Sequence, residues 1–151
     1  MTKLNATAKL VKNYRIDVDD GRAHAICLDL EQDDGGTDMG PSALELALMS
    51  FAGCYATIFM LTANKMRKTI RDLEVKAEAV KSEEAGTITE TEFGITIVAD
   101  MPEERVHRLH ELTVKGCPVG KIFEKAGVKI TYNIKIKKRY RAILFLGTSV
   151  A

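Results

Sequence analysis

An excess of charge of either sign is missing from this sequence. Its 22 basic and 21 acidic residues give a formal net charge of +1, so no broad electropositive surface is available to release counterions from a nucleic acid. Cysteine is scarce, with three residues, and charged residues stand near the N-terminus where a signal peptide needs an apolar stretch. We therefore expect a cytoplasmic protein with free thiols that does not bind nucleic acid.

Motifs for nucleotides and metals are missing as well. The sequence contains neither a GxxxxGK[ST] nor a GxGxxG phosphate-binding loop, and neither a CxxC nor an HExxH metal-binding spacing. His107 and His110 stand three positions apart on a predicted helix and, with Cys117, form one candidate set of metal ligands. Because helical histidine pairs are more often surface or capping groups, we expect no metal and no other cofactor.

The length and apolar content suit a single folded domain. The chain has 151 residues, of which 46% are apolar, enough for one hydrophobic core but not comfortably for two. No internal repeat or linker is visible. We predict one domain over residues 1–137 and a C-terminal tail over residues 138–151, to which no role is assigned.

One uncharged run of 18 residues, Leu46 to Ala63, is at the lower edge of the length that spans a membrane. It is rich in small and polar side chains, and no second segment resembles a span. A helix that is apolar on all sides is typical of an enclosed central helix. We therefore predict a core helix from Pro41 to about Lys68, packed on every face, and no membrane partner.

Patterns on both sides of this helix predict strands and two further helices. A hairpin turn is indicated by Asp19-Asp20-Gly21, and alternation of apolar with polar residues marks the strands. The predicted elements are strands at residues 10–18, 23–30, 73–79, 87–99 and 128–137, and helices from Pro102 to Gly116 and from Cys117 to Gly127. The predicted fold class is α+β, with antiparallel sheets around a long buried helix.

The three cysteines differ in their surroundings. Cys117 directly precedes Pro118 at a predicted helix start, where free N–H groups and the helix dipole favour a thiolate. Cys54 lies within the apolar helix, where burial raises the pKa of a thiol and makes it inert unless a cation lies near. From the residues alone, Cys54 is an ordinary core cysteine. Cys27, in the apolar stretch AHAICLDL, is also predicted to lie in the core.

Two segments together resemble the paired signatures of the OsmC/Ohr family: GPSALELALMSFAGCYA, from Gly40 to Ala56, and GCPVGKIFEKAGV, from Gly116 to Val128. In that family a Pro-x-Glu-Leu helix carries the first cysteine and a Cys-Pro-Val motif carries the second. The resemblance covers about residues 10–137. It implies an OsmC-like fold in which two chains intertwine around their central helices. Because 151 residues would struggle to cover a helix that is apolar on all sides, we predict an obligate homodimer with an interface above ~2,000 Å².

The resemblance also implies a thiol peroxidase whose redox pair, Cys54 and Cys117, lies together in the fold. The Cys54 thiolate would reduce an organic hydroperoxide, and its sulfenic acid would condense with Cys117 to a disulfide that an external dithiol or lipoyl-type reductant reopens. Alkyl or lipid peroxides would suit the apolar surroundings expected from Phe51, Tyr55, Phe59 and Phe123. The alternative is a non-catalytic OsmC-like dimer that binds a small apolar ligand.

Peroxidases of the family hold the attacking thiolate beside an arginine paired with a glutamate. In the best peroxidases of the family that glutamate stands ten positions before the first cysteine. The same position here is Leu44, and the carboxylate, Glu45, stands nine positions before Cys54. Nine residues are about 2.5 helical turns and ~13.5 Å along the axis, so Glu45 serves either a second chain's site or its own helix dipole. Arg22 is the first candidate for the cation, the other interpretation being a solvated turn charge, and Arg15 is the next candidate.

Overall fold

The computed structural model describes residues 1–138, and this part of the chain forms two three-stranded sheets and three α-helices. The predicted α+β class is confirmed. Residues 139–151, which make up all but the first residue of the predicted tail, lie outside the described part of the chain. The elements are β1 (Thr7–Lys12), β2 (Arg15–Asp19), β3 (Ala25–Leu28), α1 (Ala43–Lys65), β4 (Ile70–Ser82), β5 (Thr87–Ala99), α2 (Glu103–Gly116), α3 (Pro118–Lys125) and β6 (Lys129–Lys137).

The first sheet is an antiparallel meander of β1, β2 and β3. The predicted hairpin turn lies between β2 and β3, and Gly21 there has a φ of 74°, a conformation that glycine adopts at no steric cost. The strand predicted at residues 10–18 is in fact two strands. Asn13, with a φ of 51°, turns the chain between them, because asparagine tolerates left-handed backbone better than most residues.

The second sheet corrects the expectation that all pairing is antiparallel. Strands β4 and β5 form a long antiparallel hairpin, but β6 pairs with β5 in parallel, with Phe93 opposite Tyr132. Helices α2 and α3 account for this difference. They carry the chain from the end of β5 back to its start, and a crossover of this kind lets two strands run in the same direction.

Helix α1 packs on the second sheet through one stripe of side chains spaced four residues apart. The buried members of this stripe are Phe51, Tyr55, Phe59 and Ala63, and they contact the apolar face of β5 and the inner face of α2. By length and composition α1 would also be able to span a membrane, but this packing is that of a core helix. Burial on every face, as predicted, is not seen within one chain, since Met49 and Leu61 are exposed.

Candidate functional site

The sulfurs of Cys54 and Cys117 lie 3.0 Å apart, although 63 positions separate the two residues. The prediction that they are neighbours is therefore confirmed. Cys54 projects from the middle of α1, whereas Cys117 lies at the junction of α2 and α3. Both are free thiols; Cys54 is half-buried and Cys117 is 1% exposed.

Cys117 is held by the start of α3. It is the residue that caps this helix, and its sulfur accepts a hydrogen bond from the backbone N–H of Gly120 at 3.3 Å. Gly120 also permits close packing of α3 on α1, since a Cβ atom at this position would lie 3.0 Å from the Phe51 ring. The cap and this contact together direct the Cys117 sulfur at α1.

The expectation that the helix start makes Cys117 a thiolate is wrong. Burial, followed by the hydrogen bond to Cys54, raises the pKa of Cys117 to about 11, and the N–H of Gly120 opposes this shift only in part. A buried thiolate loses more hydration than one N–H contact restores. Cys117 is thus a protonated thiol that donates its hydrogen to the Cys54 sulfur.

A hydrogen-bonded pair formed by Tyr55 of α1 and His110 of α2 was not predicted. The hydroxyl of Tyr55 and Nδ1 of His110 form a hydrogen bond of 2.7 Å, and the Tyr132 ring stacks on Tyr55 and meets His110 edge-on. Burial raises the pKa of Tyr55, raises that of Tyr132 to about 12 and lowers that of His110, so all three are neutral at pH 7. Of the histidine pair expected at the surface, His107 is exposed, whereas His110 is half-buried and bonded to α1.

Signals of this pair were present in the sequence. Tyr55 stands in the stripe with Phe51 and Phe59, which marks it as inward-facing. His110 follows the apolar Leu109 of α2 and precedes Cys117 by seven positions, about two helical turns. A histidine on that face of α2 had to meet either α1 or the sheet.

Arg22 and Arg15 form their hydrogen bonds with residues other than Cys54 and Cys117. Arg22 is paired with Asp20 in the hairpin turn at 2.6 Å, and its side chain is 74% exposed. His24 also bonds to Asp20, and this contact, with that of Arg22, holds the pKa of Asp20 far below its usual range. Across residues 1–138, no hydrogen bond or ion pair joins either arginine to Cys54 or Cys117.

Arg15 differs from Arg22 in one respect. One of its terminal nitrogens donates to Thr37 at 3.4 Å, while its Nε is buried and has no hydrogen-bond partner among the described residues. A guanidinium nitrogen without a partner is free to bind another group. Arg15 therefore remains the second candidate for the cation.

Glu45 forms a capping box with Ser42 at the start of α1. The carboxylate accepts from the Ser42 backbone N–H at 2.7 Å, and the Ser42 hydroxyl accepts from the Glu45 N–H at 3.3 Å. The first of these bonds keeps the pKa of Glu45 below its ordinary value. Of the two interpretations of Glu45, the structural role at the helix start is the one visible within a single chain.

Cys27 was predicted to lie in the core, but it lies outside it. It is half-exposed in β3, opposite Asp17 in the register of β2, on the polar face of the first sheet. Partial burial, with the negative charge of Asp17, raises its pKa. The apolar residues on either side of Cys27 lie on the other face of the strand, because successive side chains point to opposite faces.

An apolar cavity of about 180 Å³ opens between the first turns of α1 and helix α3. Its wall includes Leu44, the residue at the position of the family's glutamate, and Phe123, whose ring lies 4.7 Å from that of Phe51.

His107, His110 and Cys117 do not gather around a common point; in residues 1–138, no group of three or more His, Cys, Asp or Glu side chains is arranged to hold a metal ion.

Comparisons with known proteins identify the family of this chain. A family model described as "OsmC-like protein" matches residues 35–133. The protein YhfA of Escherichia coli K12 is 28% identical over 137 residues, which cover 88% of this chain and 98% of YhfA.

Two solved structures share the fold. An OsmC-like protein from Mycoplasma pneumoniae superposes with a TM-score of 0.79 at 20% identity, covering 89% of this chain and 97% of its own. An organic hydroperoxide resistance protein from Elizabethkingia anophelis does so with a TM-score of 0.71 at 16% identity, covering 91% and 98%. With a family model that matches most of its length and a fold shared with these structures, the chain belongs to the OsmC-like family.

Proposed function

We propose that this protein is a cysteine-based peroxidase that reduces organic hydroperoxides through Cys54 and Cys117. The observation that carries the proposal is the contact of 3.0 Å between the two sulfurs, in which the Cys117 thiol donates to Cys54. A disulfide has an S–S distance of about 2.05 Å, so the pair closes with a displacement of about one ångström.

The proposed reaction has three steps. The Cys54 thiolate attacks the distal oxygen of ROOH; an S–O bond forms, the O–O bond breaks, and the departing alkoxide takes a proton to give ROH. The Cys117 sulfur then attacks the Cys54 sulfenic acid, which gives the disulfide and water. An external dithiol or lipoyl-type reductant, itself oxidised to a disulfide, returns both thiols.

The environments of the two cysteines support this division of roles. Cys54 is half-buried and is reached from solvent more easily than Cys117, which is 1% exposed. Cys117, with its pKa raised to about 11, stays protonated and is able to donate a hydrogen bond to the Cys54 sulfur. The more accessible sulfur of the disulfide is also that of Cys54, so the reductant would attack there and release Cys117.

The cavity beside α1 supports an apolar substrate. Its wall combines Leu44, Ile88 and Phe123 with other apolar side chains, and apolar surfaces of this kind bind alkyl groups by excluding water. The Elizabethkingia protein bears the name of an organic hydroperoxide resistance protein, and organic hydroperoxides are the substrate class we propose here. Thiol reductants are maintained in the cytoplasm, where we place the reaction.

The first sheet supports the homodimer. Its register puts Ala8, Leu10, Ile16, Val18, Ile26 and Leu28 on one face, yet Leu10 is 65% exposed and Ile26 is 43% exposed in the single chain. No residue of this sheet belongs to the hydrophobic core of the described chain. A partner chain is also required for any role of Arg22 at the cysteine pair, because within one chain Arg22 bonds to Asp20 and not to Cys54 or Cys117.

The test is oxidation of the reduced protein by cumene hydroperoxide with a dithiol reductant. We expect turnover in the wild type, none in Cys54→Ser because serine is a far weaker nucleophile at neutral pH, and accumulation of Cys54 sulfinic acid in Cys117→Ser. Cys27→Ser is the matched control and should behave as wild type. Mass spectrometry distinguishes the oxidation states.

The cavity also favours a second candidate, a non-catalytic dimer that binds a small apolar ligand. This function requires the cavity but not the thiols. If the wild type reacts with alkyl hydroperoxides no faster than free cysteine, the peroxidase proposal fails. Saturable binding of an apolar fluorescent probe, weakened by Leu44→Lys but not by Cys54→Ser, would then support the second function.

A further inference from the structure

The hydrogen bond between Tyr55 and His110 joins α1 to α2 next to the two sulfurs. Tyr55 directly follows Cys54 on α1, and His110 precedes Cys117 by seven positions on the helix that ends at Cys117. Seven residues are close to two full turns, so His110 and Cys117 lie on the same side of α2. Seven residues also rise ~10.5 Å along the axis, so the bond of 2.7 Å joins the two helices about two turns of α2 before the point where the sulfurs meet.

Packing leaves this bond little freedom. The Tyr55 side chain is fully buried, and its ring lies 5.8 Å from that of Tyr132. The His110 ring lies 5.0 Å from the same Tyr132 ring, edge to face. Side chains whose rings are held in this way keep one orientation, so the bond constrains the helices rather than only the side chains.

The hydroxyl of Tyr55 is not needed to fill the core. Phe51 and Phe59, one turn before and one turn after it on the same stripe, pack against the sheet without a polar atom. Burying a hydroxyl costs free energy that its hydrogen bond only about offsets. Phenylalanine at position 55 would serve packing equally well, and the hydroxyl needs another explanation.

We propose that Tyr55 and His110 are positioning residues for the cysteine pair, and that their hydrogen bond holds α2 against α1 so that the Cys117 sulfur stays within closing distance of Cys54. The inference rests on the proposed redox function of the pair. It concerns the second step, in which the Cys117 sulfur bonds to the Cys54 sulfenic sulfur, and the sulfenic oxygen leaves as water with the thiol proton. The first step, attack on the hydroperoxide, does not use Cys117 as nucleophile.

The decisive measurement is the thiol–disulfide equilibrium of the protein with reduced and oxidised glutathione. It gives the effective concentration of the two thiols without any peroxide. We expect Tyr55→Phe and His110→Phe each to lower this concentration by about ten-fold, the equivalent of one hydrogen bond. The double variant should fall no further than either single variant, because both remove the same interaction.

Two matched variants separate positioning from general packing. Tyr132→Phe also deletes a hydroxyl beside His110, but in residues 1–138 that hydroxyl forms no hydrogen bond to α2, so the effective concentration should not change. His110→Asn keeps a polar atom near the position of Nδ1 and should recover most of the loss seen in His110→Phe. A loss caused by packing alone would not be recovered by asparagine, which is the smaller side chain.

With cumene hydroperoxide, Tyr55→Phe should form the disulfide more slowly once Cys54 is oxidised, and should therefore accumulate sulfinic acid. If the wild type forms no disulfide in glutathione buffers, the proposal that the two cysteines are a redox pair is wrong. Suppose that the wild type does form the disulfide. The positioning inference is then overturned if Tyr55→Phe and His110→Phe keep the wild-type effective concentration, or if the losses in the two single variants add in the double variant. The redox pair stands in either case.

Discussion

The sulfur of Cys117 caps a helix through the N–H of Gly120 at 3.3 Å, and yet Cys117 is a thiol with a pKa raised to about 11. A helix start is a common site for reactive thiolates. Here the loss of hydration outweighs the N–H contact, because the side chain is almost completely enclosed. The same burial keeps Cys117 protonated, so that its thiol donates a hydrogen bond to the Cys54 sulfur.

The first prediction concerns the reactivity of Cys117 with pH. A pKa of about 11 in place of the ordinary value of 9.0 lowers the thiolate fraction at neutral pH by ~100-fold, so iodoacetamide should alkylate Cys117 correspondingly slowly. In Cys54→Ala the donated hydrogen bond is lost, and the pKa of Cys117 should fall, although burial keeps it above its ordinary value. Peptide mass spectrometry between about pH 7 and 10 measures the rates. Alkylation of Cys117 in the reduced wild type as fast as that of free cysteine would contradict the prediction.

The second prediction distinguishes the two arginines. If Arg22 approaches Cys54 of a second chain, Arg22→Met should slow the first oxidation of Cys54 by about ten-fold, since a nearby cation stabilises a thiolate. Arg15→Met, which removes the guanidinium with the unpartnered Nε, is the matched control and should have the smaller effect. Stopped-flow oxidation over a range of pH measures both. A larger effect of Arg15→Met than of Arg22→Met would assign the role to Arg15. Equal rates in the wild type and in both variants would exclude both arginines.

The third prediction concerns the capping box. Ser42→Ala and Glu45→Ala should each lower the free energy of unfolding by ~1 kcal/mol, as loss of a helix cap usually does. Glu45→Gln keeps a side chain that completes a capping box and should retain most of the stability. Urea denaturation measures the free energies. We also expect Glu45→Gln to oxidise at the wild-type rate. A clear loss of rate with unchanged stability would show that Glu45 serves the site of a second chain.

Local patterns in the sequence predicted much of the fold. Strand β5 has the predicted bounds, Thr87 to Ala99, and α2 ends at Gly116 as expected. Alternation, helical spacing and proline or glycine at element ends depend on neighbouring residues, and they are therefore readable without the structure. The turn at Asn13 was missed for the same reason, because alternation continues through it and hides the break.

Long-range relationships were harder to predict. The parallel pairing of β6 depends on the path of two helices, and the bond between Tyr55 and His110 joins residues 55 positions apart. The pairing of Cys54 with Cys117 was found only because two motifs resemble a family. The sequence locates Cys117 at a helix start, but the burial that determines its pKa is produced by the packing of α1, α2 and α3 together.

The last prediction concerns the apolar face of the first sheet. If a second chain covers this face, the wild type should be a dimer at micromolar concentration, and Leu10→Lys or Ile26→Lys should shift it toward monomer, because a lysine there would be buried without a partner. Thr7→Lys is the matched control, since Thr7 lies on the other face of β1 opposite Asp19, where the new charge meets an acidic neighbour. Light scattering measures the mass. A monomeric wild type, or Leu10→Lys that dimerises as strongly as Thr7→Lys, would rule out this face as the dimer interface. If Arg22 acts across that interface, Leu10→Lys should also oxidise as slowly as Arg22→Met.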